Sequence, residues 1–512
     1  MDQAQLMGSP GSTQMLEHGA LRRTLGRADI VLLAVGAIIS IDTIAQIAAS
    51  GGAEAFTWTL VIVVTFLLPY GMVTAELGSA FPGEGGPYLW VRMAFGRFAG
   101  AITSMLYWVT NPIWMGGSLA FIAAETWNGY VTRSAAGSAG DLVFKICFIW
   151  IAIGIAVISL QRGKVVIAIG AIAKLALVVL VVVTVAAYAA QHGLHGAAAG
   201  AFAPTLGGFL AVTPIVLFAV VGFEAPNGAG GEMRDPQRDV PRAVAASGAI
   251  AALAYLVPVF AILTVLPSAK IEGASGFLDA ASLVFDVYGP AAPALRVIAA
   301  LVFVFVVLTQ ASAWMVASDR VQAAAAAERA FFRYFGRFSD RLGTPVRMNV
   351  LSGIVSTAFC IAATLLLHGS TSAVFTVVLT VAVSTLLVSY LVIFPAAVAL
   401  RLKFPSVERP FRVPGGAAGL VTCTVVIFLW VLLGSWVAVF PGTLETVFGI
   451  HYDFLDTWGV DRTTFELFTI GTLVAVCLLA VVGYLAERRR RPTLSPQPTP
   501  IDAAETTRTD DR

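Results

Sequence analysis

Charge is what this sequence lacks. Of its 512 residues only 12% are Asp, Glu, Lys or Arg, about half the roughly 25% of a soluble domain, while 58% are hydrophobic and the mean hydropathy is +0.85. A chain this poor in charge is neither a soluble globular enzyme nor a disordered segment. Neither sign is in surplus either: 32 basic residues stand against 30 acidic ones, so no basic surface is left over for nucleic acid. Cysteine is scarce. Cys147, Cys360, Cys423 and Cys477 lie far apart in apolar runs, which suits small buried hydrophobes and not a disulfide framework or metal cluster. No GxxxxGK[ST] phosphate loop occurs, which argues against direct ATP drive. There is no selectivity-filter repeat or ring of like charge to suggest a channel. No metal or cofactor is called for.

What the sequence has in quantity is long apolar runs. A helix crosses a bilayer with about 20 apolar residues, its backbone polar groups satisfied internally. Twelve runs qualify: 30–50, 56–80, 98–128, 142–160, 165–190, 205–229, 243–266, 294–318, 348–368, 372–400, 417–440 and 466–486. The expected class is an all-α integral membrane protein with 12 transmembrane helices in contact with the lipid bilayer. The stretch 348–400 carries no charged residue, and His368-Gly369-Ser370 is its expected turn. No apolar segment separate from the first span precedes it, so no cleavable signal peptide is expected.

Basic residues collect in cytoplasmic loops. With both termini inside, 26 of the 32 Lys and Arg fall in the cytoplasm and five outside (Arg133, Lys145, Lys270, Arg296, Arg462). His192, His195, His368 and His451 then all lie at outward loops, which argues against a membrane enzyme. The expected location is the plasma membrane, the inner membrane if the source is bacterial. The organisation reads as a cytoplasmic N-terminal segment (1–27), two halves (28–190 and 204–400), two further spans (417–487) and a disordered cytoplasmic tail (488–512) opened by the anchor Arg488-Arg489-Arg490-Arg491. Asp319 to Arg347 is expected as an interfacial helix between spans eight and nine.

Ionisable groups at membrane depth are costly and point to function. Asp42, Glu76, Lys174 and Glu224 are such groups. Glu76, near the end of span two, reads as an interfacial residue capping the loop after it. Span one carries Gly36, Ser40, Asp42 and Thr43 near its middle, whose side chains compete for backbone hydrogen bonds. Span six carries Gly222-Phe223-Glu224-Ala225-Pro226, with proline and glycine weakening the helix beside the glutamate. Two interrupted spans, the first and the sixth, are the sequence sign of an inverted-repeat transporter with its site at the midplane. Unwound backbone frees amides and carbonyls there, and helix N-termini favour anions.

The run Phe218 to Glu224, with Glu232 and the loop Asp235-Pro236-Gln237-Arg238-Asp239-Val240-Pro241-Arg242-Ala243, resembles the sixth-span signature of the amino acid-polyamine-organocation transporter superfamily. Thr74 to Pro82 with Gly85-Gly86-Pro87-Tyr88 and Ala94-Phe95-Gly96, Leu106-Tyr107-Trp108, and Gly343-Thr344-Pro345 are similar to other motifs of that superfamily. The resemblance covers roughly residues 20–440. It implies the leucine-transporter-like fold, a 5+5 inverted repeat with broken helices 1 and 6 plus two C-terminal helices, and secondary transport of small molecules: amino acids, amines or polyamines, by proton symport, sodium symport or exchange. Relatives include monomers, so a homodimer is one of two assemblies it allows.

By the same resemblance, Ser40, Ile41 and Asp42 line the unwound part of span one. Phe218 is an aromatic gate, with Phe223 and Glu224 in the broken part of span six. Tyr107, Thr110 and Asn111 face the substrate from span three and Trp314 from span eight. Lys174 corresponds to the fifth-span lysine of proton-coupled relatives, so protons are the expected coupling ion, with Asp42 and Glu224 as further proton-exchanging candidates. The departure is Asp42, because relatives usually have a glycine-rich segment there. A carboxylate at that point repels a substrate carboxylate unless it is protonated, paired with Lys174, or used to hold the substrate amine. Asp42 therefore shifts the expectation from a neutral amino acid toward a cationic amino acid or polyamine.

Overall fold

A computed structural model describes residues 23–132, 135, 137–158, 160–194, 196–265, 282–366 and 371–489. Described residues form helices and connecting turns, with two isolated backbone bridges and no strand. Helices α1 (Arg27–Ile38) and α2 (Ile41–Gly51) are separated by two extended residues, and their axes bend by 40°. Then come α3 (Glu54–Ala80), with one wide turn at Val63–Leu67, and the short α4 (Gly86–Phe95). A wide turn at Met115–Leu119 joins α5 (Arg97–Trp114) to α6 (Ala120–Trp127). The order continues with α7 (Ala139–Val157), α8 (Leu160–His192), α9 (Leu206–Ala219) and α10 (Pro236–Val265). It closes with α11 (Ala292–Ala327), α12 (Val346–Leu366), α13 (Thr371–Lys403), α14 (Gly416–Val439) and α15 (Arg462–Arg489).

Among the described residues nine helices are long and apolar enough to cross a membrane, ten if the bent pair α1–α2 counts as one span; α9 is apolar but shorter. The bundle is apolar on its outside too. Val64, Ile151, Val179 and Leu467 are each more than half exposed, as lipid-facing positions are and water-facing ones seldom are. The centre is made by α1, α3, α5, α8, α10, α11 and α13, with α10 against α1 and α3, α8 against α1 and α11, and α5 between α11 and α13.

At one end of this bundle buried charges are paired with one another. At the end of the bundle holding residue 25, Thr24 and Leu25 donate main-chain N–H bonds to the Glu232 carbonyl (2.9 and 3.0 Å), Arg234 returns one to Leu25 (3.0 Å), and Gly85 donates to Gly228 (3.0 Å). The Arg320 guanidinium lies between Glu84 (2.9 Å) and Glu232 (2.6 Å) and donates to the Gly343 carbonyl (3.2 Å), so one side chain staples the turns before α4, after α9 and before α12 to α11. Nearby, Arg401 chelates Glu76 with Nε and Nη2 (3.0 and 2.6 Å), Val413 N–H adds a third bond (2.8 Å), and Arg409 stands at 3.5 Å. Glu76 thus has a structural partner set at the end of α3.

Two boundaries differ from expectation. Asp319 to Arg347 forms no separate interfacial helix: α11 runs unbroken through Asp319 and Arg320 to Ala327, and a single tight turn at Arg333–Gly336 follows. The groups that suggested a membrane surface are instead buried inside the protein, Arg320 paired with Glu84 and Glu232 and Asp319 held by the neutral donors of Trp108, Asn349 and Ser352. Ile41 and Asp42 are not unwound but open α2; the extended residues are Ile39 and Ser40. The expected turn at His368-Gly369-Ser370, His195, and segments 1–22 and 490–512 lie outside the described residues, while Arg488 and Arg489 end α15.

Removing one partner of a buried ion pair leaves the other charge stranded. Glu76→Ala should therefore lower the unfolding midpoint in detergent by the equivalent of about 3 kcal/mol. Arg337→Ala, whose partner Asp340 lies 4.0 Å away at the surface, should leave it within about 0.5 kcal/mol of the parent. Equal midpoints for the two variants would contradict the assignment.

Candidate functional site

A helix broken inside a membrane exposes backbone groups that no water can satisfy. At the first break the loose carbonyls are taken by side chains from other helices. The Lys174 ammonium on α8 donates to Gly36 O (2.9 Å), to Ile39 O and to Gln310 Oε1 (2.7 Å), and the Trp314 indole donates to Ala37 O (3.0 Å). The Tyr255 hydroxyl on α10 accepts from Ser40 N–H (2.7 Å) and lies within donor reach of Ile38 O (2.8 Å) and Ala219 O (2.6 Å), so it ties the first break to the end of α9. The Gln310 amide continues the chain by donating to Asp42 Oδ1 (3.0 Å) and Ser40 Oγ (3.3 Å). Lys174 and Asp42 are thereby linked through Gln310 and not by a direct ion pair.

The second break is governed by one hydroxyl. After α9 the chain turns at Gly222, whose φ of +131° is open to glycine and strained for other residues. A Cβ there would meet Ile38 Cγ1 at 3.1 Å and Trp314 Cζ2 at 3.2 Å. The exposed N–H groups of Gly222 and Phe223 donate to Tyr70 OH (2.7 and 2.8 Å), which itself donates to Glu224 Oε2. The other Glu224 oxygen accepts from Tyr390 (2.6 Å) and Tyr107 (3.1 Å). Three tyrosines from α3, α5 and α13 thus converge on one carboxylate.

Between the two breaks runs a series of aromatic rings. Phe218 meets Trp114 edge to face at 5.3 Å, Trp114 meets Trp314 at 6.5 Å, and Trp314 meets Tyr107 at 6.4 Å. Of the residues the sequence singled out, Ser40, Asp42, Lys174, Phe218, Trp314, Tyr107 and Glu224 belong to this connected group. Ile41 is buried beside them at the start of α2. Asn111 lies one turn along α5 from Tyr107, and its Nδ2 finds no hydrogen-bond partner among the described residues. Thr110 turns to α13, 2.8 Å from Thr385 Oγ1. Phe223 packs on Tyr70 at 5.0 Å and reaches Gly71 and Gly248, between α3 and α10. The sequence reading missed Tyr70, Trp114, Tyr255, Gln310 and Tyr390. Gln310 carried a usable signal, a polar amide in the middle of span eight; the aromatics carried none that separates them from ordinary packing.

A family model described as amino acid permease matches residues 25–451, which takes in both breaks and every group just named. The chain belongs to the amino acid permease family. The permease is accordingly a multi-pass membrane transporter of the amino acid-polyamine-organocation superfamily and not an enzyme, with small molecules such as amino acids or amines as its substrate class. It is 26% identical over 401 residues to an uncharacterised transporter of Legionella pneumophila, covering 77% of this chain and 85% of the relative. Over 407 residues it is 26% identical to a probable agmatine/putrescine antiporter of Lactococcus lactis, covering 78% and 84%. An uncharacterised transporter of Mycobacterium bovis is 26% identical over 349 residues, 66% of this chain and 73% of the relative.

The tyrosines around Glu224 should separate by mutation. Tyr70→Phe strands two buried amides as well as a carboxylate contact, an expected loss of about 2–3 kcal/mol per stranded pair of donors. Tyr390→Phe removes one of three donors and should lose about 1 kcal/mol. Unfolding midpoints of the purified variants check the order, and a larger loss for Tyr390→Phe would refute it.

Proposed function

We propose that the permease is a secondary active transporter of amino acids or related amines, working by alternating access around its two breaks, with the proton as coupling ion. In this reading the bundle is a 12-span, leucine-transporter-like protein in the plasma membrane with both termini cytoplasmic. Elements α1 to α8 and α9 to α13 form the two repeats, and α14 and α15 are the additional pair. The observation that carries the reading is the Lys174 ammonium, which bridges the carbonyls of the first break and, through Gln310, reaches Asp42. Loss of its proton removes one of three donors and loosens the hold of α8 and α11 on the α1–α2 junction. Protonation of the lysine and the shape of the site are then linked.

A second reading is amine exchange without net proton movement. Two things favour it: all three Lys174 protons are committed to acceptors, as in a static structural cation, and one relative is named as a probable agmatine/putrescine antiporter.

Uptake of labelled amino acids and polyamines into proteoliposomes, with and without an imposed inward proton gradient, separates the two. Gradient-stimulated uptake is expected for the parent and should vanish in Lys174→Met. Uptake that needs internal amine and ignores the gradient would replace the first reading with the second.

A further inference from the structure

The site has an imbalance that the alternating-access reading does not use. α2 begins inside the protein, and the N-terminus of such a helix offers unpaired amides and partial positive charge to an anion. Here the chain supplies that anion itself. Asp42 is in the first turn of α2 and 1% exposed. Gln310 holds Oδ1 (3.0 Å), whereas Oδ2 has no hydrogen-bond partner among the described residues. A buried carboxylate oxygen left open is costly unless something fills it. The neighbouring Trp114 indole, a neutral donor, faces the Asp42 carboxylate, with its Nε1 outside hydrogen-bond geometry.

The site's cation is unavailable to a ligand. An ammonium has three protons, and those of Lys174 go to Gly36 O, Ile39 O and Gln310 Oε1. Glu224 is likewise committed, to three tyrosines. The free charged group of the site is therefore one anionic acceptor beside Trp114, whose ring meets those of Phe218 and Trp314. An α-amino acid would bring its carboxylate to a helix terminus already holding one. Only the neutral donors of Asn111 and Trp114 would be left to offset the repulsion, which is several-fold stronger at low dielectric than in water.

We infer that the permease carries organic amines lacking an α-carboxylate, whose ammonium is taken by Asp42 Oδ2, and that Gln310 is the positioning residue that turns this oxygen toward the substrate. The inference rests on the transporter reading above and narrows its substrate. Asp42 fills the place where an amino acid would put its own carboxylate, so removing that group from the substrate removes a like-charge conflict and keeps the charge-assisted hydrogen bond. The rings supply an apolar wall and faces that attract a cation.

Matched pairs differing only by the carboxylate test this: arginine with agmatine, ornithine with putrescine, and phenylalanine with phenethylamine, each as counterflow uptake in proteoliposomes. In at least one pair the amine should be favoured about tenfold or more in kcat/KM, the scale of one charge-assisted bond. Asp42→Asn, nearly isosteric, should lose most of that preference. Gln310→Ala should raise KM for the amine more than it lowers kcat. If Asp42→Asn does not elute and melt as a folded protein, the parent's three pairs decide alone. Preference for the amino acid in every transported pair, or an Asp42→Asn protein that is folded and discriminates as the parent does, overturns the inference and leaves the transporter reading standing. Flux of neither member of any pair, in protein that is folded, overturns both.

Discussion

Everything at the centre of this molecule follows from one constraint: backbone polar groups at membrane depth must be paired inside the protein. One span is broken there, between α1 and α2, and α9 ends there in tight turns, so both places release amides and carbonyls. Lys174, Trp314 and Tyr255 meet those of the first; Tyr70 meets those of the second. The donors and acceptors come from α3, α8, α10 and α11, so the breaks are not weak points in isolated helices but the place where the bundle is tied together. Remove the breaks and these buried polar side chains would have no partners; remove the side chains and the breaks would close or collapse.

The two breaks are satisfied differently, and the difference sets their chemistry. The first is bound by a cation that reaches a carboxylate only through a neutral amide. The second is bound by neutral hydroxyls around a carboxylate, with no cation among its hydrogen-bond partners in the described residues. One site therefore holds two acids in unlike surroundings, one acid with an open oxygen and the other enclosed. The ring series from Phe218 through Trp114 and Trp314 to Tyr107 joins them.

Much of this was legible in the sequence because glycine and proline act through the backbone. Gly222 and Pro226 mark the second break, and Ser40 marks the first, by rules that need no tertiary information. The apolar runs were equally plain. What could not be read were partners supplied from far away along the chain. Tyr70, Tyr255 and Tyr390 sit in spans where an aromatic is unremarkable, and only folding brings their hydroxyls to loose backbone or to Glu224. The continuation of α11 past residue 318 failed for the same reason. Asp319 and Arg320 look like a membrane boundary until Trp108, Asn349 and Ser352 are seen around the first and Glu84 and Glu232 around the second.

That continuation has a mechanical consequence. Gln310 and Trp314, which hold the first break, and Arg320, which staples the turns at one end of the bundle, are on the same uninterrupted 36-residue helix. At about 1.5 Å of rise per residue, Gln310 and Arg320 are separated by roughly 15 Å of stiff rod. α11 is therefore a lever with the site on one arm and the staple on the other. A tilt that opens the junction at Gln310 cannot leave the grip of Arg320 on Glu84 and Glu232 undisturbed, and release of that grip is felt in turn at Gln310 without any intervening loop to absorb it.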